Sequence, residues 1–100
     1  MPKNHSEAAS RLYQAILNLE TEEECAAFFQ DICSIKELKD IAQRLEVACM
    51  LDEGKNYLEI SALTGASTAT ISRVKKCLYY GCGGYRRALD RADGEGEENQ

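Results

Sequence analysis

The sequence has almost no proline. Its single one is Pro2, so nearly the whole chain is free of the residue that removes an amide donor and breaks helices. No apolar run approaches the roughly 20 residues needed to cross a bilayer. The N-terminal stretch from Met1 to Ser10 has no apolar signal region. These absences point to a cytoplasmic protein with no membrane partner. There is one histidine, His5, in an end expected to be mobile, and there is no nucleophile elbow, P-loop or metal-ligand spacing. General acid–base chemistry usually draws on histidine or a buried carboxylate, so an enzyme is not expected, and no cofactor is called for. No stretch alternates with a period of two, and no internal repeat is visible.

The cysteines are five, Cys25, Cys33, Cys49, Cys77 and Cys82. The number is odd and no two form a C-x-x-C pair, which argues against a disulfide scaffold or a zinc site. Four fall in segments read as helical, mostly on apolar faces, where cysteine acts as a small hydrophobe. Reduced thiols suit a cytoplasmic setting.

The net charge of −5 hides a division. Residues 1–54 hold 5 basic and 11 acidic side chains, residues 55–91 hold 7 basic and 2 acidic, and residues 92–100 hold four acids and no base. A basic segment between acidic ones is a candidate footprint for phosphate; chance clustering on a solvated face is the alternative.

Between a mobile start and a polar, Gly-containing acidic tail at 92–100, expected to be disordered, the pattern is helical. Leu12, Ala15, Ile16 and Leu19 fall at i, i+3, i+4, i+7, and Cys25, Phe28, Phe29 and Ile32 repeat that spacing. Thr21-x-x-Glu24 and Ser34-x-x-Glu37 read as capping boxes, the second opening a long helix to about Glu53. Gly54 is placed to end it in a left-handed conformation. This third helix carries a stripe of Leu38, Ile41, Ala42, Leu45 and Cys49, with Val47, Met50 and Leu51 partly off it. A helix apolar on more than one face needs more than one neighbour. Either a second copy of the chain or the chain's own helices supply it, and the homodimer is the stronger reading. The domain plan is a single helical domain over 1–91, with dimerising helices at about 7–53, a helix-turn-helix at about 57–78 and a short last helix at about 85–91.

The informative stretch runs from Tyr57 to Lys76. Asn56 caps a short helix with Glu59 at the box position, Gly65 breaks it, and Ser67 caps the next, which runs to about Tyr80. Two helices meeting at a sharp angle need a small residue on the inner side of the first, and Ser61 or Ala62 supplies it. The turn needs a residue tolerant of positive φ, and Gly65 sits there. Ile60, Leu63, Ile71 and Val74 are the apolar positions expected to lock the pair. The other face of the second helix shows Ser67, Thr68, Ala69, Ser72, Arg73 and Lys76. Short side chains let a backbone approach base edges in a major groove, so Ser67, Thr68, Ala69, Ser72 and Arg73 are the candidate base readers. Thr70, Lys75, Lys76, Arg86 and Arg87 are the candidate phosphate contacts, which position rather than specify. The residues alone thus point to double-stranded DNA as partner. A helical hairpin with a solvated polar face is the bland alternative.

The same residues carry a resemblance. Gly65-Ala-Ser-Thr-Ala-Thr-Ile-Ser-Arg73 is similar to the reading head of the tryptophan repressor. Leu12-Tyr-Gln-Ala-Ile16, Lys39-Asp-Ile-Ala-Gln-Arg-Leu45, Glu53-Gly-Lys55, Thr64 to Lys75 and Tyr80-Gly-Cys-Gly-Gly-Tyr85 resemble the TrpR-related YerC/YecD family of that superfamily, over roughly residues 11–90. The resemblance implies an all-α, tryptophan-repressor-like fold of about six helices, an intertwined homodimer, and a sequence-specific transcriptional regulator, a repressor, whose two recognition helices meet successive major grooves. It does not carry over tryptophan as corepressor. Arg73 matches one of the two arginines that sandwich the indole there, but the other aligns with Gln43, beside Arg44. Val74 stands for a glycine that lets the ligand approach, and Cys77 for a serine that holds its amino group. Any other effector is left open. The competing function is a protein-interaction module that kept the helix-turn-helix shape without DNA binding, which the acidic first half and tail favour.

Overall fold

A computed structural model describes residues 5–90 of the chain. These form six helices and, among the described residues, no strand: α1 (His5–Leu17), α2 (Glu22–Ile32), α3 (Ile35–Asp52), α4 (Tyr57–Thr64), α5 (Thr68–Tyr80) and α6 over 84–90. The chain divides into two compact units between Leu38 and Lys39. Residues 5–10, expected to be mobile, belong to α1. Alanines at 8 and 9 favour helix, and Glu7 sits in the first turn, where the positive end of the helix dipole favours an acid. The acidic tail, and Arg91 at the end of the last expected helix, lie outside the described residues.

In the first unit, local hydrogen bonds set the helix starts. Thr21 Oγ1 accepts from the Glu24 amide at 3.0 Å, while the Glu24 carboxylate accepts from the Glu20 amide, one residue earlier than a strict capping box requires. Ser34 and Glu37 form the reciprocal box: the Ser34 amide donates to Glu37 Oε1 at 2.8 Å, and the Glu37 amide donates to Ser34 Oγ at 3.1 Å. The bond from the Ser34 amide holds the Glu37 carboxyl below the usual carboxylate range, so this box weakens as acid titrates it. Phe28 and Phe29 meet edge to face at 5.3 Å. No described residue of this unit is buried; Tyr13, Leu17, Ile32 and Ile35 are all largely exposed, Ile35 at 79%.

The second unit holds the core: Val47, Ala48 and Leu51 from α3, Ile60 from α4, Ala66 from the turn, and Ile71, Val74 and Leu78 from α5. Met50, Tyr57, Tyr85 and Leu89 pack against it. The core residues of α3 are not the stripe read from the sequence. Val47, Ala48 and Leu51 are buried, while Ile41 and Leu45 stay 44% and 45% exposed. The helix has two apolar faces, and the chain's own core covers one of them. α3 ends in a Schellman arrangement. The Gly54 amide donates to Leu51 O and the Lys55 amide to Met50 O, both at 3.0 Å, around Gly54 at φ +88°. Of the cysteines, Cys25 and Cys49 are half-buried within helices. Cys33 caps the end of α2 rather than lying inside a helix, and Cys77 and Cys82 are exposed.

Eight side chains are a small core, so each one matters. Ile71, fully buried at its centre, is expected to cost about 0.5–1.5 kcal/mol on shortening to Val and about 2–5 kcal/mol on shortening to Ala. Urea denaturation followed by circular dichroism measures both.

Candidate nucleic-acid interface

α4 is eight residues long, so its ends dominate it. Asn56 Oδ1 accepts from the Glu59 amide at 2.9 Å and starts it. At its other end Gly65 takes φ +76°, and its amide donates to Ser61 O at 2.8 Å. Thr64 works on both sides of this turn: its hydroxyl donates to Ile60 O at 2.7 Å and accepts from the Ala66 amide at 3.1 Å. Ala66 is then buried, and Ser67 follows as the cap of α5, its Oγ accepting from the Thr70 amide at 3.1 Å. Ser67 Oγ also lies 3.1 Å from Thr70 Oγ1.

On α5, burial of Ile71, Val74 and Leu78 fixes the rotation of the helix. Their spacing turns Ala69, Ser72, Arg73, Lys76 and Tyr80 to the opposite side. Ser67, Thr68, Ala69, Ser72, Arg73, Lys75 and Lys76 are all exposed, and Thr70 is half-buried. Tyr57 braces one flank. Its hydroxyl lies 3.3 Å from Ser72 Oγ, and Lys75 Nζ stands 5.7 Å from the centre of its ring. The result is a helix with a capped, outward N-terminus, small polar side chains on its free face, and cations beside them.

The chain matches the family model described as Trp repressor protein over residues 7–93. This protein belongs to that family. It is similar to the uncharacterized protein YerC of Bacillus subtilis (strain 168), 58% identical over 81 residues, which is 81% of this chain and 78% of that one. Two solved structures share the fold. A TrpR-like protein from Eubacterium eligens ATCC 27750 is 49% identical, with a TM-score of 0.84 over 87% of this chain and 90% of that chain. A protein described as a putative Trp repressor from Staphylococcus aureus is 47% identical, with a TM-score of 0.83 over 87% of each chain. The all-α, TrpR-like fold and the kinship with YerC read from the sequence therefore hold.

Several residues have different places from those the sequence suggested. Leu63 does not lock the helix pair; it is 64% exposed. Tyr57, Ile60 and Thr64 form the inward row of α4, and in so short a helix Leu63 falls off that row. Ser61 and Ala62 are also exposed. The small buried side chains are Ala66 in the turn and Ala48 on α3. Arg86, expected at phosphate, has its guanidinium 2.9 Å from Asp52 and 3.2 Å from Asp90. These two carboxylates raise its pKa further above an already basic value. Asp52 is the last residue of α3, where the negative end of the dipole disfavours an acid, and Arg86 offsets that repulsion. Arg87 is exposed. Gln43, at the place of the family's second indole-holding arginine, donates from Nε2 to Thr64 O at 3.1 Å. Val74 is buried in the core, while Cys77 lines an open apolar cavity of about 410 Å³ with Gly81, Cys82 and Tyr85. Sequence patterns flagged neither the Gln43–Thr64 bond nor the Tyr57 brace, because each joins residues far apart in the chain.

Nothing crowds the place where a Cβ at Gly65 would sit, so the cost of substitution there comes from the backbone alone. Gly65→Ala is expected to destabilise by about 1–2 kcal/mol. Gly65→Asn should cost less and Gly65→Val more. Thermal midpoints of the three variants would give that order.

Proposed function

We propose that this protein is a sequence-specific regulator of transcription, a repressor, that binds double-stranded DNA as a homodimer and sets α5 of each subunit in a major groove. The observation that carries this reading is the free face of α5. From Thr68 to Lys76 its exposed side chains are short or cationic, and its rotation is set by buried Ile71, Val74 and Leu78. Ser67, Thr68, Ala69, Ser72 and Arg73 are the base readers. Thr70, Lys75, Lys76 and Arg87 contact phosphate, and Arg86 leaves that set because two carboxylates engage it. Tyr80, 87% exposed at the far end of the same face, joins the phosphate group. Membership of the Trp repressor family and likeness to TrpR-like structures support a DNA-binding regulator. Tryptophan is not its effector on this reading, because Gln43 is turned to the protein's own backbone.

The homodimer reading rests on uncovered apolar surface. The first unit buries no described side chain, and Leu12, Tyr13, Leu17, Ile32 and Ile35, with Ile41 and Leu45 on α3, face outward. Each unit by itself thus leaves large apolar side chains uncovered, which supports association with another chain. The mass in solution is expected to be twice the 11.1 kDa of one chain, and Leu45→Glu should lower it toward the monomer. Light scattering on the eluted protein measures both, and a stable monomer at micromolar concentration would count against the dimer.

The two classes of contact should fail differently. Lys76→Ala is expected to weaken binding to all duplexes alike and to flatten the log–log salt dependence by about one to two units per dimer. Thr68→Ala or Ser72→Ala should instead change which sequence is preferred, at about 1–3 kcal/mol per lost base contact. Selection of bound DNA from a random pool, followed by anisotropy titration at several salt concentrations, separates the two effects. A lack of affinity for any duplex at low salt would leave the protein-interaction module as the better reading.

A further inference from the structure

We infer that Gln43, which is remote in sequence from every proposed DNA contact, is a positioning residue that seats the turn leading into the reading helix. This rests on the DNA-binding role proposed above. The apolar core between α3, α4 and α5 is built from Val47, Ala48, Leu51, Ile60, Ala66, Ile71, Val74 and Leu78. Those contacts set the rotation of α5 about its own axis and receive Ala66 from the turn, but they are non-directional, and the exact seat of the turn between α4 and α5 draws on a polar tie as well. The bond from Gln43 Nε2 to Thr64 O, 3.1 Å long and half-buried, is directional. It satisfies a carbonyl at the C-terminal end of α4, where the helix itself offers no donor. Thr64 is also the node of the turn. Its hydroxyl bonds Ile60 O behind it and the Ala66 amide ahead of it. Gly65, in its left-handed conformation, and buried Ala66 then lead without slack into Ser67, the cap of α5. A shift at Thr64 is therefore passed through two residues to Ser67, and from there to Thr68 and Ala69. Gln43 ties that node to α3, so the arrangement of the reading head is held by an amide of the chain itself.

Loss of this bond should lower the fraction of molecules whose reading helix is correctly aimed, and apparent affinity falls with that fraction. Specific binding should suffer, while phosphate-driven binding to unrelated DNA should not. The test uses the full chain, the duplex that the wild type selects and an unrelated duplex of equal length. Gln43→Met keeps the length of the side chain and removes the donor. The ratio of the two affinities is expected to fall roughly three- to tenfold, as for one lost hydrogen bond, with the salt slope unchanged. Gln43→Lys restores a donor and should recover the ratio, in which any general gain from the added charge cancels. Amide hydrogen exchange gives a readout without DNA. In Gln43→Met the Gly65 and Ala66 amides should exchange faster, while those of Ile71 and Val74 keep wild-type protection. A Gln43→Met protein with the wild-type affinity ratio and unchanged exchange at Gly65 and Ala66 would overturn this inference and leave the DNA-binding reading intact. If the wild type binds no duplex, both readings fall.

Discussion

Between α4 and α5 the backbone turns within three residues, and it does so through one left-handed position, Gly65 at φ +76°. An L-residue with a Cβ resists that conformation. Everything that follows in the second unit depends on it. The turn delivers Ala66 into the core and leaves Ser67 extended, as a capping residue must be. α5 then starts at exposed Ser67, Thr68 and Ala69, and burial of Ile71, Val74 and Leu78 sets which of its sides is free. The surface proposed to meet DNA is thus a consequence of one backbone angle and three apolar contacts.

Charge works at short range in this protein. The chain is acidic as a whole, yet the free face of α5 carries Arg73 and Lys76 with no acid in α5 itself, and Lys75 is steadied over the Tyr57 ring. Screening over about 8–10 Å in physiological salt means that a phosphate at that face would sense chiefly the charges beside it. Arg86 shows the opposite use of a cation. It lies between Asp52 and Asp90 and relieves the unfavourable acid at the end of α3. The two arginines at 86 and 87 look alike in sequence and differ in what surrounds them.

The two units differ in how much they settle by themselves. The second has a core of eight buried side chains; the first has well-made caps and no buried described side chain. Caps decide where helices begin, at about 1 kcal/mol each, but helices of this length draw most of their stability from covering an apolar face. The first unit leaves apolar residues of α1 and α2 exposed, and that uncovered surface is what the proposed homodimer rests on.

Apart from the first turns of α1, the helices, their caps and their breaks were legible in local sequence. Each of those rests on interactions within four or five residues: Thr21 with Glu24, Ser34 with Glu37, Asn56 with Glu59, Ser67 with Thr70, and the glycines at 54 and 65. The sequence also carried the family, because the stretch from Thr64 to Lys75 has a composition that few other structures demand. Which apolar residues are core is settled by the packing of the helices. Leu63 and Leu45 look as buried in the pattern as Ile60 and Val47, but a helix presents two or three plausible faces, and the choice depends on what packs against it. The same holds for polar roles. Charge alone points Arg86 to phosphate, and at position 43 the sequence shows only glutamine where the family has an arginine. Their partners, Asp52 and Thr64, lie 34 and 21 residues away in the chain, and a pairing across such a distance is set by the fold, which no local pattern encodes.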